Sequence, residues 1–450
     1  MNTLLLQSKT LLLKFLREPW WFSFFPSSFF WNDRLSQKDI RWVFIWFFSG
    51  PYCDIKNENN KINLYIHIPF CSRICSYCNC FKTFLNKESQ IDQYLDYLDK
   101  EANLLVSLNN NKKININTIF IGGWTPNLLS VTQFETLFSM IKRYFNISSL
   151  EQFIVDCHPN FLDKDKIDLF HKNWVNRVTI AIQTLDADVL SKNNRDSYDV
   201  EKIKTTIALL KKCWIKINID ILIWMNGQTI DSIKKDMDFF MELWVDNISD
   251  HYVAISNNMN YHLDKDYENI FSAAKEYIAG IKISNTSENL QESYFTSKRA
   301  STLSLWAEGV TNIFAWAIYK KPGVDRYYEQ LSVWEMPVQK WILLDLKQEM
   351  IKYVYLNIFS WVNVIVFQEL FGANIFEIFR KEVEFLLKKR IIKQLGDRLH
   401  SNCRDIDMYI YLNTLFIVPY LWKKIPNIWG SINESDFSLY FDTDGNRIDE

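Results

Sequence analysis

Between residues 64 and 255 the sequence alternates short apolar strands with amphipathic helices, and this alternation restricts the possible fold more than any other feature. Six short runs rich in β-branched residues are predicted strands, at residues 64–70, 118–122, 152–157, 177–183, 216–223 and 248–255. Helices are predicted between them at residues 91–105, 132–144, 164–172, 200–212 and 230–243. Such repeats build a parallel sheet with helices outside. We therefore predict an α/β fold, a partial (β/α) barrel of parallel strands.

The sequence on either side of this alternation predicts further segments. We expect a helical N-terminal segment at 1–60, the barrel core at 61–290, a connecting segment on the substrate side at 291–345 and a helical C-terminal domain at 346–450. The first segment is apolar, but Lys14 and Arg17 interrupt it before it reaches the ~18–20 apolar residues of a membrane span. A docked helix is the expectation there, with a membrane or targeting role as the alternative.

Composition and charge exclude several classes of protein. Lys plus Arg number 51 and Asp plus Glu number 53, so the formal charge of −2 argues against a protein that coats nucleic acid. A disordered chain is excluded because 48% of the residues are hydrophobic and 23% charged. Eight cysteines in 450 residues are too few for a disulfide scaffold. We expect a cytoplasmic protein.

Tryptophan occurs where glycine is expected. The chain has 17 Trp and 11 Gly, and 11 of 450 is about 2.4%, against roughly 7% in average proteins. Trp174, Trp214 and Trp244 each follow a predicted helix at the C′ position, which strongly favours glycine. Our hypothesis is that a codon read here as tryptophan is read as glycine in the source organism; genuine tryptophans packed on helix ends are the alternative. The suspect positions are 124, 174, 214, 224, 244, 306, 334 and 341.

A cysteine cluster follows the first predicted strand. In CSRICSYCNC, Cys71, Cys75 and Cys78 have the spacing C-x3-C-x2-C, and Cys80 adds C-x-C. Thiolates in one short loop can bind a soft metal centre. Structural zinc usually takes four ligands in two separate pairs, and no later C-x2-C or H-x3-H follows. Three thiolates suit a 4Fe-4S cluster with one iron open to a small molecule, while zinc and unliganded cysteines stay as alternatives.

The segment YIHIPFCSRICSYCNC resembles the cluster loop of radical S-adenosylmethionine enzymes, and more narrowly that of the oxygen-independent coproporphyrinogen III oxidase-like family. Residues 65–80 match the Y-x-H-I-P-F-C-x3-C-x2-C-x-C signature of that family, and the resemblance extends from about residue 62 to 400. It implies a radical SAM barrel in which Cys71, Cys75 and Cys78 ligate a 4Fe-4S cluster. Cys80 would be a signature residue without a ligand role. The open iron would bind S-adenosylmethionine.

The resemblance also implies which other residues contact S-adenosylmethionine. Gly122, Gly123 and Thr125 match a GGGTP turn that Trp124 interrupts, and Asp156 stands where the family usually has Glu. The implied cofactor contacts are Tyr65, Tyr77, Gly122, Gly123, Thr125, Asp156, Gln183, Arg195, Asp220 and Ala254. Several lie at C-terminal strand ends, where β/α barrels place their sites. No side-chain acid or base is implied, because the radical chemistry needs none.

The function implied by the resemblance is oxidative decarboxylation of porphyrinogen propionates through a 5′-deoxyadenosyl radical. Three alternatives stay open: a haem chaperone-like relative, a radical enzyme for another substrate, and a structural iron–sulfur or zinc protein. Cys80 and the N-terminal 60 residues count against the chaperone, whereas a missing N-terminal tyrosine- and proline-containing segment counts against an authentic oxidase. The expected partners are a small-molecule substrate such as a porphyrinogen and an electron donor such as flavodoxin or ferredoxin. We expect a monomer with no nucleic acid partner and no membrane span.

Overall fold

A computed structural model gives the fold of the chain. It describes residues 36–49, 62–78, 83–123, 125–253, 301–307, 309–313, 317–358 and 362–401, together with 270, 273, 274 and 277. Within the predicted N-terminal segment it shows one helix, α1 (Gln37–Ser49), which buries Ile40, Phe44 and Phe47 in the main core. None of the helices in these ranges is long and apolar enough to cross a membrane.

The main structural element is a ten-stranded sheet with the order β10-β9-β8-β7-β5-β1-β11-β12-β13-β14. The strands from β10 to β11 are parallel, and β12 to β14 continue the sheet antiparallel. Its strands are β1 (Ile62–Ile68), β5 (Thr118–Gly123), β7 (Gln152–Cys157), β8 (Arg177–Gln183), β9 (Lys216–Ile223), β10 (Asn247–Tyr252), β11 (Ser301–Leu305), β12 (Val310–Ile313), β13 (Ala317–Lys320) and β14 (Lys340–Leu343). Short pairs are formed by β2 (Phe70–Cys71) with β3 (Thr83–Phe84) and by β4 (Ile114–Asn115) with β6 (Phe145–Asn146).

Helices connect the parallel strands. They are α2 (Ser89–Leu108), α3 (Val131–Tyr144), α4 (Lys164–Lys172), α5 (Ala187–Lys192), α6 (Val200–Lys212) and α7 (Ile230–Glu242), with α8 (Val324–Ser332) before β14. Short 3-10 helices cover Pro126–Leu128 and Pro159–Phe161. Six of the seven residues of β1 are buried, which explains its nearly continuous apolar sequence. The predicted α/β fold is confirmed.

Residues beyond β14 form a smaller unit with its own apolar core. It contains α9 (Leu346–Asn357), α10 (Val364–Phe371), α11 (Ile375–Ile378) and α12 (Arg380–Lys388), with β15 (Val362–Asn363), β16 (Ile392–Leu395) and β17 (Arg398–Ser401). The three strands pair antiparallel in the order β15-β17-β16. The sequence predicts a helical domain here, and the structure adds this sheet. It also places β11 to β14 in the predicted connecting segment, where the alternation of strands and helices fades from the sequence.

A buried charged network joins α2 to the strands of that connecting segment. Lys321, which follows β13, donates from Nζ to a carboxylate oxygen of Glu101 and to the carbonyl oxygen of Ser304. The hydroxyl of Tyr327 donates to Glu101 Oε2 at 2.6 Å. The Lys321 and Glu101 side chains are 3% and 0% exposed, so the pair is removed from water. Burial of two opposite charges is tolerated because each is paired and hydrogen-bonded.

Candidate functional site

The cysteine loop lies at the carboxyl end of β1, where the chain leaves the sheet. Cys71 and Cys78 are buried, and Cys75 is half-buried. They line one cleft that is open to solvent, and its other lining residues are Ser72, Arg73, Thr125, His158, Arg195 and Asp196. The Cys71 Sγ lies 3.8 Å from the Thr125 hydroxyl, and Cys75 Sγ lies 3.7 Å from a guanidinium nitrogen of Arg195. The three predicted cluster ligands are therefore brought to one site.

Contacts to the segment after α5 hold the cysteine loop in place. The amide N–H of Ser76 donates to the carbonyl of Asn193 at 3.1 Å, and the Asn194 side-chain amide donates to the carbonyl of Ile74 at 2.7 Å. Arg73 and Asp196 form an exposed ion pair at 3.2 Å. The loop thus has fixed partners on the neighbouring βα connection.

The environment of the thiols fits a cluster that supplies positive charge. Burial raises the pKa of Cys71 to about 12, so the thiolate that iron requires needs a cation beside it. Within the described ranges, no three His, Cys, Asp or Glu side chains lie close enough together to hold a single metal ion. A 4Fe-4S cluster places its thiolates on different irons, so its ligands need not surround one point.

The predicted glycine turn follows β5 beside the cysteine loop. Gly123 has a φ of +120°, and a Cβ there would lie 2.3 Å from the carbonyl oxygen of Ile68, so only glycine fits. A Cβ on Gly122 would lie 2.9 Å from the ring of Tyr65. Thr125 is buried and faces Cys71. Trp124 lies outside the described residues, as do Cys80 and Ala254.

The two predicted tyrosines lie in different places. Tyr65 packs beside Gly122 and Trp306, and its hydroxyl is 2.8 Å from His67 Nδ1. Tyr77 is buried in a small apolar cluster with Leu190 and Leu222, next to the cysteine loop. Tyr65 is thus associated with the glycine turn and Tyr77 with the cluster loop.

Arg195 and Gln183 are positioned around the carboxyl end of β8. Arg195 is held by hydrogen bonds to the Ala181 carbonyl and the Tyr198 hydroxyl, which leaves one guanidinium nitrogen towards Cys75. Gln183 has a φ of 70° at an irregularity in the pairing of β8 with β9. Its side-chain oxygen is buried without a hydrogen-bond partner among the residues described. A buried, unsatisfied carbonyl at the carboxyl end of a strand is suited to a polar ligand.

Asp156 and Asp220 form a second group on the sheet, and neither lines the cysteine cleft. Burial, and then the Asp220 carboxylate, raise the pKa of Asp156 well above its ordinary value. Asp220 accepts from the Asn218 side-chain amide at 2.8 Å and lies 3.5 Å from His251 Nε2. Although burial alone would lower it, the Asp220 carboxylate raises the pKa of His251. These groups give the sheet a polar patch suited to hydroxyl or amine groups of a ligand.

Sequence reasoning missed His158, Asp196 and His251. His158 directly follows β7 and lines the cleft, and burial together with Arg195 lowers its pKa to about 2, so the ring is neutral. The signal for His158 was its position at a strand end. His251 had no such signal, since it lies inside β10 and is recognised only through its contact with Asp220.

Comparisons with known proteins agree with this geometry. Residues 65–240 match the family model of the radical SAM superfamily. The chain is 25% identical to the haem chaperone HemW of Lactococcus lactis over 76% of this chain and 94% of that protein. It is 32% identical to HemW of Bacillus subtilis and 27% identical to the oxygen-independent coproporphyrinogen III oxidase of Pseudomonas aeruginosa, over 48% and 43% of those proteins. The solved structure of coproporphyrinogen III oxidase (HemN) from Escherichia coli superimposes with a TM-score of 0.71 and 16% identity, covering 88% of this chain and 96% of that one.

The chain thus carries a radical SAM domain, the class whose cofactors are a 4Fe-4S cluster and S-adenosylmethionine. Within that class the chain is similar to HemN-like proteins, which are named as haem chaperones and as oxygen-independent coproporphyrinogen III oxidases. The resemblance carried by residues 65–80 is confirmed.

Proposed function

We propose that the cysteine cleft holds a 4Fe-4S cluster on Cys71, Cys75 and Cys78. The observation that carries the proposal is the convergence of three cysteine thiols with Thr125 and Arg195 on one open cleft at the carboxyl edge of a parallel sheet. Carboxyl strand ends are where β/α folds place their ligands. The donors are soft thiolates, which suit an iron–sulfur cluster.

S-adenosylmethionine would bind across the same edge. Its proposed contacts are Tyr65, Tyr77, Gly122, Gly123, Thr125, Asp156, Gln183, Arg195, Asp220 and Ala254. Gly122 and Gly123 let the turn pack closely against Tyr65 and Ile68, and the side-chain carbonyl of Gln183 offers an unsatisfied acceptor. When bound, the cluster and S-adenosylmethionine would supply the chemistry of hydrogen-atom abstraction from a substrate. The chain's part is to hold these groups in line and to exclude water.

The client of this site would be a tetrapyrrole. A haem chaperone role is supported by the alignment with the Lactococcus protein, which spans 94% of that relative. A coproporphyrinogen oxidase role is supported by Cys80 in the cluster loop, which completes that family's signature. The alignments with the Bacillus and Pseudomonas proteins cover about half of each relative. Both activities are therefore proposed for this chain and not carried over from those relatives. A flavodoxin or ferredoxin would supply the electron, and we expect a monomer in the cytoplasm.

The test is anaerobic incubation of the reconstituted protein with S-adenosylmethionine, dithionite and coproporphyrinogen III. Formation of 5′-deoxyadenosine together with decarboxylated porphyrin would establish the oxidase. Haem titration followed by absorbance would support the chaperone if haem binds stoichiometrically and porphyrinogen is not converted. A protein that assembles its cluster but neither cleaves S-adenosylmethionine nor binds haem would contradict both roles. Cys213→Ala, which removes a half-buried thiol far along the chain from the loop, is the matched control for Cys75→Ala.

A further inference from the structure

Four tryptophans have a backbone conformation that side chains disfavour. The φ angles are 63° at Trp174, 58° at Trp214, 48° at Trp244 and 60° at Trp334. Each residue is the second after its helix, following α4, α6, α7 and α8. The Cβ of an L-residue is crowded in this left-handed region, and glycine is its usual occupant at helix C-termini.

The fold, and not the tryptophan side chain, imposes this conformation. After α4 the amide N–H of Val175 donates to the Phe170 carbonyl at 3.0 Å, which is the bond from C″ to C3 of the Schellman motif. The same bond joins Ile215 to Leu210 at 3.0 Å. These bonds close the helix ends and require positive φ at the residue between. Gly372, which directly follows α10, has a φ of 63°, so glycine occupies the left-handed position at that helix end, as is usual.

The tryptophan side chains gain little in return for the strain. Trp214 is 90% exposed and Trp244 is 80% exposed. Trp174 is 62% exposed, and its ring has one cation, the Lys142 ammonium, 5.0 Å from its centre. A large aromatic residue normally repays its cost by burying its ring, and these three do not.

Trp224 extends the pattern to the proposed cofactor face. Its φ is 77°, and it directly follows β9 at the carboxyl edge of the sheet. The side chain is half-buried against the apolar cluster that contains Tyr77. Trp306 and Trp341 do not have positive φ. Positive φ therefore distinguishes five of the eight suspect positions.

We infer that positions 174, 214, 224, 244 and 334 carry glycine in the protein made by the source organism, whose ribosomes read as glycine a codon written here as tryptophan. The inference is independent of the proposed function. It explains part of the low glycine count, 11 in 450 residues, and of the high tryptophan count of 17. The competing explanation is that Trp174, Trp214 and Trp244 are genuine and together form a docking surface. All three precede strands and so lie at the same amino edge of the sheet.

The gene and the natural protein test the inference directly. We expect one shared codon at the five positions, different from the codon at Trp42 and Trp46, which lie inside helix α1. Peptide mass analysis of the protein purified from its source should show glycine at 174, 214 and 244. The ordinary codon UGG at these positions, or tryptophan in the peptides, would overturn the inference and favour the docking surface.

Recombinant variants give a second, physical test. We expect Trp174→Gly, Trp214→Gly and Trp244→Gly each to raise the melting temperature, on the order of 2 °C per position. Trp42→Gly is the matched control, because Trp42 is 64% exposed but inside a helix, where glycine should lower the melting temperature. A fall in melting temperature for Trp174→Gly, Trp214→Gly and Trp244→Gly, like that of the control, would contradict the inference from backbone strain.

Discussion

Replacement of Lys321 by methionine should destabilise the chain strongly. Lys321→Met keeps most of the side-chain length and removes the cation, so the buried Glu101 charge is left with neutral partners, the Tyr327 hydroxyl and the Trp306 backbone. Breaking a buried ion pair from one side costs about 3–5 kcal/mol. That is a large share of a typical stability of about 5–15 kcal/mol. Urea unfolding of the apoprotein, followed by circular dichroism, measures the loss.

The double variant and the pH dependence identify the cause. Glu101→Gln combined with Lys321→Met leaves a neutral amide that can still accept from Tyr327, so most of the loss should be recovered. Burial raises the pKa of Glu101 above its ordinary value of 4.5, although Lys321 opposes the rise. Without Lys321 the folded pKa rises further, so protonation rescues the fold at low pH and the loss grows above pH 4.5. A Lys321→Met variant within 1 kcal/mol of wild type at pH 8, or an equal loss at pH 8 and pH 5, would refute this account.

Three further predictions concern the site. Cys75→Ala should abolish the brown absorbance of the reconstituted cluster while Cys213→Ala keeps it, and full iron content in Cys75→Ala would contradict the ligand assignment. Asp156→Asn should stabilise the apoprotein at pH 8, and the gain should shrink towards pH 4, because the raised pKa of Asp156 in the folded state costs stability once the unfolded Asp ionises near 3.8. The same variant should weaken S-adenosylmethionine binding in equilibrium dialysis. A loss of stability at pH 8 would contradict the raised pKa of Asp156. Gly123→Ala should abolish that binding, whereas Gly396→Ala, also at positive φ but with open space around it, should leave binding intact; equal effects would argue against the turn.

The alternation of strands and helices made most of the barrel predictable. The predicted bounds of β7, β8 and β9 coincide with the observed ones, because each strand is an apolar run bounded by polar turns. The same topology explains why Asp156 and Gln183, far apart in sequence, lie on one sheet. The network of Lys321 and Glu101 could not be predicted, because the two residues are 220 positions apart and no periodicity links them.

The short antiparallel strands were missed for a different physical reason. β12 and β14 have four residues each, too few to show an alternation, and they are stabilised by their neighbours in the sheet. The strand β16 directly follows α12 through Arg390 at positive φ, so its sequence IKQL reads as the end of a helix. In both places tertiary pairing, and not local sequence, decides the structure.

The two edges of the parallel sheet separate stability from chemistry. Helices α4, α6 and α7 end at the amino edge, so glycine or tryptophan at 174, 214 and 244 changes the backbone strain there without touching the cleft. The cysteine loop and the glycine turn lie at the carboxyl edge. Position 224 is the exception, because it follows β9 at that edge and packs towards Tyr77. We therefore expect Trp224→Gly to change the affinity for S-adenosylmethionine, while Trp214→Gly changes only the melting temperature. Equilibrium dialysis and thermal melting of both variants test this. A change in affinity from Trp214→Gly would contradict the separation of stability at the amino edge from chemistry at the carboxyl edge.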